Sequence, residues 1–449
     1  MKAIQSDANQ MAFGFAVDEI QIERLPSPKS KKSKRTGAFT DNMSLPVHRW
    51  FRYSAGFSAE WVEQLIDKHH LTKRDIVLDP FAGSGTTLLA AQRKGVDALG
   101  AERHEFVRRI ANTKLLWNKP DEHKVLDLCV SLLDQAAVRE KGQAAPTSEL
   151  LRKCYLPESL RRLTALRDTY AECFSGYGIQ SELLWLALTS ILRECSGVGT
   201  AQWQYVLPNK TKARVRDPYE AFLARVQMFC SDIQFMRDQG VGSKASVEPA
   251  DARYLSEFAH LSGRVKLVVT SPPYPNNYDY ADATRLEMTF WGDVESWGDL
   301  QHAVRRHLIR SCSQHSAAEG LLLDELLADE VIAPIRRELA DVCTQLADIR
   351  ETKGGKKTYH TMIAAYFIDL AKCWQSLHRL CAPGADVYFV VGDSAPYGVY
   401  VPADRWLGEL ALAAGFREWS FEKIRDRNIK WKNRKHRVPL KEGNLVVKN

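Results

Sequence analysis

The sequence contains no apolar run that approaches the roughly 18 to 20 residues needed to cross a bilayer. Residues 1–7 also lack the apolar centre of a signal peptide. The chain therefore shows no pattern for secretion or for a membrane partner, and we expect a cytoplasmic protein.

Paired cysteines and metal-ligand patterns are missing as well. The chain has 9 cysteines but no Cys-x-x-Cys pair, which argues against a zinc knuckle or a thioredoxin-type redox pair. His48, His69 and His70 have no acid or cysteine partner at ligand spacing. We therefore expect these histidines on the surface or in packing, and we expect no bound metal.

Charge of one sign is not in large excess. Lys and Arg number 62 against 55 Asp and Glu, a formal net charge of +7. This balance permits a polyanionic partner if the cations are concentrated on one face. The 449 residues are 45% hydrophobic and 26% charged, which excludes collagen-like, coiled-coil and wholly disordered chains. A chain of this length forms about three domains, or one large domain with insertions.

Short apolar segments predict strands, and segments with helical periodicity separate them. The predicted strands are residues 76–78, 98–100, 265–269, 386–391 and 444–447. Ser58 is a predicted N-cap for a helix that begins at residue 59. A strand, a glycine-rich turn, a helix and a second strand follow one another from residue 76, which predicts the opening of a doubly wound α/β sheet.

The first functional motif is the turn DPFAGSGTT at residues 79–87. Gly83 and Gly85 let the backbone approach a ligand where a side chain would collide, and Asp79 ends the preceding strand. Glu102 ends the next strand, roughly 20 residues on, where a carboxylate accepts hydrogen bonds from both hydroxyls of a ribose. These residues predict a nucleoside cofactor, whereas a Gly-x-Gly turn alone is also compatible with a structural role.

Two missing residues narrow the choice of cofactor. A phosphate-binding P-loop requires Lys after its last glycine, and Thr86 occupies that position. A dinucleotide fingerprint requires a third glycine where this sequence has Leu88. S-adenosylmethionine, a nucleoside without phosphates, fits better, with its ammonium near Asp79 and its ribose at Glu102.

The second motif is TSPPY at residues 270–274, which follows an apolar strand. Pro272 and Pro273 fix the backbone and remove two N–H donors, which leaves carbonyl oxygens to accept hydrogen bonds from an amino group. Ser271 can accept another, and the ring of Tyr274 can stack on a planar base. The pattern favours methylation of an exocyclic amine, whose lone pair must be localised and directed at the methyl group. A rigid turn with an incidental aromatic ring is the structural alternative.

Together the two motifs resemble those of the amino-group DNA methyltransferases, and the Ser-Pro-Pro-Tyr form looks most like the cytosine-N4 branch. The resemblance implies a Rossmann-like S-adenosylmethionine-dependent methyltransferase fold, with a mixed seven-stranded sheet and two helical insertions. It implies a catalytic set formed by Ser271, Pro272, Pro273 and Tyr274. It also implies a cofactor-binding set, which consists of Tyr53, Phe57, Asp79, Phe81, Gly83, Gly85, Thr86, Glu102 and Asp251.

The same resemblance divides the chain into a core and its elaborations. The cofactor-binding half and the catalytic half of the core are separated by a helical insertion, and a second helical insertion precedes the rest of the sheet. The predicted regions are a disordered basic tail at 1–45, the cofactor half at 46–120, an insertion for possible DNA recognition at 121–245, the catalytic half at 246–295, the second insertion at 296–357, and the completion of the sheet with a basic DNA-contact segment at 358–449.

Two clusters of cations are candidates for DNA contact, since Lys and Arg supply most of the sequence-independent affinity for phosphate. One precedes the last strand and includes Lys430, Lys432, Arg434, Lys435 and Arg437. The other, in the first insertion, includes Lys210, Lys212 and Arg214. A solvated charged face is the alternative for such runs. A target base in a duplex must also be rotated out of the stack.

The resemblance thus implies duplex DNA with a flipped base as substrate and N4-methylcytosine as product. Adenine-N6 methylation of DNA and amino-group methylation of structured RNA are alternative activities. A nucleic-acid-binding module with a degenerate methyltransferase fold is the non-enzymatic alternative. A restriction endonuclease of the same system is a candidate partner.

Overall fold

The computed structural model describes residues 39–53, 56–143, 148–200, 205–240, 242–354, 357–427 and 438–449. Most of the predicted tail lies outside these residues. So do the predicted phosphate contacts Lys430, Lys432, Arg434, Lys435 and Arg437. None of the described helices is both long enough and apolar enough to span a membrane.

One mixed sheet of seven strands dominates the fold, which confirms the predicted fold class. Its strands lie side by side in the order β5-β2-β1-β6-β7-β9-β8. Strand β9 is antiparallel to both of its neighbours, whereas the other pairs are parallel. Strands β3 and β4 form a separate antiparallel hairpin. The bounds are β1 Ile76–Asp79, β2 Asp97–Ala101, β3 Val198–Thr200, β4 Val206–Thr211, β5 Ala245–Glu248, β6 Val265–Thr270, β7 Cys381–Gly392, β8 Glu418–Arg427 and β9 Leu440–Lys448.

Helices connect the strands and fill the two long intervals between them. Seven described helices precede β3, and an eighth lies between β4 and β5. Their bounds are α1 Ala59–Lys68, α2 Thr86–Arg93, α3 Glu105–Leu115, α4 Glu122–Glu140, α5 Glu149–Cys154, α6 Pro157–Thr169, α7 Ile179–Ile191 and α8 Pro218–Asp238. After β6 they are α9 Arg285–Trp291, α10 Leu300–Ala303, α11 Ser313–Glu319, α12 Leu323–Ala328, α13 Arg336–Thr352, α14 Tyr359–Leu380 and α15 Ala403–Ala413. The interval between β2 and β5 also contains the β3–β4 hairpin.

Central strand β6 is buried on both faces of the sheet. Its side chains alternate, so that Leu267 and Val269 enter one hydrophobic core and Val268 enters the other. All three are fully buried, which is typical of parallel strands covered on both faces. Because both faces are covered, the carboxyl edge of the strands is the place where a ligand can approach.

The N-terminus of α1 is capped by a residue that the sequence pattern did not indicate. Ser58 occupies the N-cap position as predicted, but its side chain makes no capping hydrogen bond. Instead, Oδ1 of Asn42 accepts a hydrogen bond from the Ala59 amide at 3.0 Å. The Asn42 amide nitrogen also donates to the Phe57 carbonyl at 2.9 Å, so the segment before α1 is fixed against the helix.

Two strands of the sheet were not predicted. Strand β5 has only four residues, which is too short for a clear apolar pattern. Strand β8 has a largely exposed edge rich in Lys, Arg and Glu, so its sequence is hard to distinguish from a charged segment. The C-terminal basic segment therefore begins as a strand of the sheet.

Candidate active site

A cavity lies where the carboxyl ends of β1, β2, β5 and β6 meet. Many of the predicted site residues contribute to its wall, although they come from distant parts of the sequence. The members of the predicted set that line it are Tyr53, Phe81, Gly83, Glu102, Asp251, Ser271 and Pro273. The geometry thus brings the glycine turn and the Ser-Pro-Pro motif to one site.

The glycine turn enters the wall through a backbone conformation that favours glycine. Gly83 has φ of +51°, and a Cβ there would lie 3.2 Å from Cε1 of Tyr53. Gly85 has φ of +87° and immediately precedes α2. The turn therefore packs closely under the Tyr53 ring, and a side chain at Gly83 would displace that ring.

Glu102 connects the glycine turn to the end of β2. Its Oε2 accepts a hydrogen bond from the Gly83 amide at 3.0 Å, and its Oε1 accepts one from the His104 amide at 2.8 Å. Burial raises the pKa of Glu102 to about 7, although these two hydrogen bonds oppose the shift. Its oxygens have further lone pairs, so the carboxylate can also accept hydrogen bonds from a ligand in the cavity.

Asp251 stands across the cavity in the loop after β5. Both of its oxygens accept hydrogen bonds from the Arg253 guanidinium, the shortest at 2.6 Å. The same guanidinium lies 3.5 Å from the buried carboxylate of Asp369 on α14. Asp251 is therefore held in a fixed orientation by a charged group that is itself anchored on a helix.

Ser271 and Pro273 form the wall that faces the glycine turn. Oγ of Ser271 donates a hydrogen bond to the Val390 carbonyl on β7 at 3.2 Å. Ser271 also makes a side-chain hydrogen bond with Tyr274, and a remaining lone pair of Oγ can accept a hydrogen bond from a ligand. The position directly after β6 gives this acceptor a rigid support on two central strands.

Asp79 is not part of the cavity wall, and its predicted contact with an ammonium stays a prediction. The side chain is only 1% exposed. Its Oδ1 accepts hydrogen bonds from the Phe81 amide at 3.0 Å and from the Thr270 hydroxyl at 2.5 Å. Burial raises the pKa of Asp79 to about 6, against the effect of these hydrogen bonds. Asp79 thus joins the end of β1 to the end of β6.

The other predicted residues lie beside the wall rather than in it. Phe57 is buried and packs edge to face on Trp61, with 5.8 Å between ring centres. Thr86 is buried as the first residue of α2. Tyr274 lies next to the guanidinium of Arg427. The remaining members of this group are Gly85 and Pro272.

The cavity has lining residues that the sequence did not indicate. Arg103 and His104 follow Glu102 directly, and the strand-end rule that identified Glu102 could have included them. His307, Leu308 and Ile309 come from the interval between β6 and β7 and have no local signal. A side-chain contact of 3.4 Å between Nη2 of Arg103 and Nδ1 of His307 closes this part of the wall.

The predicted DNA-contact residues of the first insertion differ in their exposure to solvent. Lys210 and Arg214 are exposed. Lys212 is half-buried, and its Nζ donates a hydrogen bond to the Arg193 carbonyl. Burial lowers the pKa of Lys212. Within the described residues, its ammonium group makes a structural contact with the Arg193 carbonyl.

The β3–β4 hairpin approaches the site through Tyr205. The hydroxyl of Tyr205 accepts a hydrogen bond from the Asp279 amide at 2.8 Å and lies 3.3 Å from the Asp279 carbonyl oxygen. Its ring centre lies 5.4 Å from that of Tyr278. The loop that follows Tyr274 is therefore attached directly to the first insertion.

A mixed seven-stranded sheet with a cavity at the carboxyl edge of its strands is consistent with a Rossmann-like methyltransferase fold. Comparisons with known proteins agree. The N6/N4 DNA methylase family model matches residues 14–113. No solved structure matches the chain.

Curated relatives extend the likeness over nearly the whole chain. The type II methyltransferase M.BsoBI of Geobacillus stearothermophilus is 24% identical over 448 residues, which cover 90% of this chain and 86% of the relative. M.AvaI of Anabaena variabilis is 24% identical over 430 residues, which cover 86% and 82%. M.MjaII of Methanocaldococcus jannaschii is 34% identical over a shorter stretch of 89 residues, 20% of this chain and 16% of the relative.

The family-model match and the type II methyltransferase relatives support the amino-group DNA methyltransferase family for this chain. S-adenosylmethionine is the methyl donor of this family, and the substrate is DNA. The base that is methylated is not given by relatives at this level of identity.

Proposed function

We propose that this protein transfers a methyl group from S-adenosylmethionine to the exocyclic N4 amino group of cytosine at a specific site in duplex DNA. The observation that carries the proposal is the position of Ser271. It lies in the wall of the cavity that also contains Glu102 and Gly83, and its hydroxyl proton is already donated to Val390.

The residues present fit the cofactor. Glu102 supplies a carboxylate to the ribose hydroxyls, and Asp251 supplies an acceptor to the adenine amino group. Tyr53 and Phe81 supply apolar surface, and Gly83 leaves room at the turn. When bound, S-adenosylmethionine supplies a methyl group that is already activated on a sulfonium sulfur.

The Ser-Pro-Pro-Tyr motif would hold the base through neutral groups. Ser271 Oγ accepts a hydrogen bond from one N–H of the amine, and a proline carbonyl accepts the other. These two bonds draw the nitrogen lone pair out of conjugation with the ring, and Tyr274 stacks on the base. Catalysis then arises mainly from orientation, since the methyl group needs no further activation. One amine proton is released to solvent as the product forms.

The β3–β4 hairpin is the part of the first insertion that we assign to DNA contact. Tyr205 attaches it to the loop after the catalytic motif. Lys210 is exposed on β4, and Arg214 is exposed shortly after that strand. Substitution of both cations by Gln should reduce the slope of log affinity against log salt by about two, because each phosphate contact contributes about 0.9. Lys212→Gln is the matched control and should leave the slope unchanged. A restriction endonuclease with the same recognition site belongs to this proposal as a partner.

The direct test is mass spectrometry of nucleosides from unmethylated plasmid DNA that has been incubated with the protein and S-adenosylmethionine. We expect N4-methylcytosine with the unaltered protein, none with Ser271→Ala, and an unchanged amount with the exposed control Ser256→Ala. N6-methyladenine instead would keep the reaction but overturn the assigned base. No modified base in DNA would overturn the proposal and direct attention to structured RNA or to a non-catalytic role.

A further inference from the structure

Arg427 is the last residue of β8, and its side chain reaches the catalytic motif. Strand β8 runs parallel to β7, because both are antiparallel to β9 between them. Arg427 therefore ends at the same edge of the sheet as Gly392 and the start of the Ser-Pro-Pro-Tyr motif. The centre of its guanidinium lies 5.3 Å from the centre of the Tyr274 ring, within the range for attraction between a cation and an aromatic face.

Gly392 leaves the space in which the two side chains meet. A Cβ at this position would lie 2.6 Å from Nη1 of Arg427 and 3.0 Å from Cε2 of Tyr274. Both distances are shorter than ordinary van der Waals contact, so an alanine would push the guanidinium and the ring apart. Because Gly392 has no side chain, Arg427 and Tyr274 can approach each other at the end of β7.

The guanidinium is held in place by the sheet. Nη1 of Arg427 donates a hydrogen bond to the Asp393 carbonyl at 2.8 Å. Its Nε lies 3.6 Å from Oε2 of Glu442, a carboxylate that is 6% exposed, and the Arg427 side chain itself is 16% exposed. A charge that is fixed and largely shielded from water interacts with a ring more strongly than a mobile surface charge.

Arg425, two residues earlier on β8, provides an internal comparison. It also pairs with Glu442, at 2.7 Å, but its side chain is 54% exposed. Both arginines thus share an acidic partner and a strand. Arg427 is the one that lies over the Tyr274 ring in the part of the chain that the structure describes. This difference separates the effect of the ring contact from that of the ion pair.

We propose that Arg427 is a positioning residue for methyl transfer, which acts by fixing the Tyr274 ring in the orientation that stacks on the target base. The inference rests on the proposed function, since it requires Tyr274 to contact the base. Arg427 is not among the described residues that line the cavity. Its substitution should therefore slow the reaction without weakening the binding of S-adenosylmethionine.

The first experiment compares Arg427→Gln with Arg425→Gln. Single-turnover transfer of tritiated methyl groups to unmethylated plasmid DNA measures the rate, and calorimetry measures S-adenosylmethionine affinity. We expect Arg427→Gln to lower the rate about tenfold, Arg427→Lys to restore part of it, and Arg425→Gln to stay within about twofold. Cofactor affinity should be the same in all three variants. Equal rates for Arg427→Gln and Arg425→Gln would overturn the inference.

A double-mutant cycle with Tyr274→Leu tests whether Arg427 acts through the ring. If it does, Arg427→Gln will have no further effect on the rate in the Tyr274→Leu background. Independent, multiplied effects of the two substitutions would overturn the inference. Full rates for both Ser271→Ala and Tyr274→Leu would overturn the proposed function and this inference together, whereas a slow Ser271→Ala with a fully active Arg427→Gln would overturn this inference alone.

Gly392→Ala keeps both side chains and provides a second route if Arg427→Gln fails to fold. Melting temperatures identify the folded variants. The added methyl group should separate the guanidinium from the ring and lower the rate by a factor similar to that of Arg427→Gln, again with unchanged cofactor affinity. A folded Gly392→Ala protein with the full rate would overturn the inference.

Discussion

The two walls of the cavity differ in the charge of their hydrogen-bonding groups. The cofactor wall, formed by Tyr53, Gly83, Glu102 and Asp251, contains ionisable carboxylates that are held by backbone amides or by an arginine. The base wall, formed by Ser271 and Pro273, contains only neutral acceptors on the central strands. Charge on the wall is therefore concentrated where the proposed function places the hydroxyl and amino groups of the cofactor, whereas Ser271 and Pro273 offer neutral acceptors to the proposed amine.

On the proposed function, binding and chemistry are separable in this site. A carboxylate at the base wall would hold an amine more tightly, whereas neutral acceptors orient the amine and leave it nucleophilic. The walls are nevertheless joined, because the Thr270 hydroxyl donates to Asp79 at the ends of β6 and β1. Substitutions on each wall should thus have different kinetic signatures.

The largest effect is expected at the base wall. Ser271→Ala removes an acceptor that we place on the reacting amine, and the single-turnover rate should fall about 100-fold or more. The dissociation constant for S-adenosylmethionine should change by less than about twofold, since the cofactor wall is intact. Rapid quench and calorimetry measure the two quantities. A weakened cofactor with an unchanged rate would reverse the assignment of the walls.

At the cofactor wall the opposite signature is expected. Glu102→Ala removes the acceptor for the ribose hydroxyls and should weaken S-adenosylmethionine binding by about 10- to 100-fold. The exposed neighbour Glu105, which pairs with Arg108 on α3, supplies the matched control Glu105→Ala. Calorimetry measures the S-adenosylmethionine affinity of both variants. Equal affinities would show that Glu102 does not bind the cofactor.

The contact that joins the walls should affect stability. Thr270→Val deletes the donor to Asp79 and leaves a buried carboxylate with one partner fewer, at a cost of about 1 to 3 kcal/mol in the free energy of unfolding. The hydroxyl lowers the pKa of Asp79 against the effect of burial, so its loss should raise that pKa further. Urea denaturation of Thr270→Val and of the exposed control Thr352→Val measures the difference. Equal midpoints would show that the walls are not coupled by this bond.

The smallest effect is a pH dependence of cofactor binding. Burial raises the pKa of Glu102 to about 7, so the free carboxyl group is increasingly protonated as the pH falls below 7. Because the ionised form is the better acceptor for ribose hydroxyls, affinity should rise between pH 6 and pH 8 by about tenfold or less per unit. Glu102→Gln should give a flat profile. A profile that is the same in both proteins would assign the pH dependence to another group.

Most strands of the core sheet could be predicted from the sequence, because each contains a short apolar stretch. Strands β1, β2, β6, β7 and β9 follow this pattern, and the motifs at their ends identify the residues that the structure brings to one cavity. Strand β8 does not, because an edge strand with exposed Lys, Arg and Glu has the composition of a surface loop. For the same reason, the sequence did not indicate that Arg427 lies close to Tyr274.

The parts of the site that were missed depend on distant contacts. His307, Leu308 and Ile309 reach the cavity from a helical interval whose sequence shows no ligand pattern. Lys212 shows another limit: its predicted contact with DNA stays a prediction, and its hydrogen bond to the Arg193 carbonyl is a tertiary contact that the local sequence did not indicate. Local sequence reports which residues are available, whereas the fold determines which of them share a surface.

The central claim is that one cavity binds the cofactor at Glu102 and presents it to Ser271. A crystal structure of the protein with S-adenosylhomocysteine, the product of methyl transfer, tests this claim most directly. We expect the ribose hydroxyls within hydrogen-bond distance of Glu102 and the sulfur on the side of Ser271. Binding at another site, or in this cavity with the sulfur directed away from Ser271, would contradict the account.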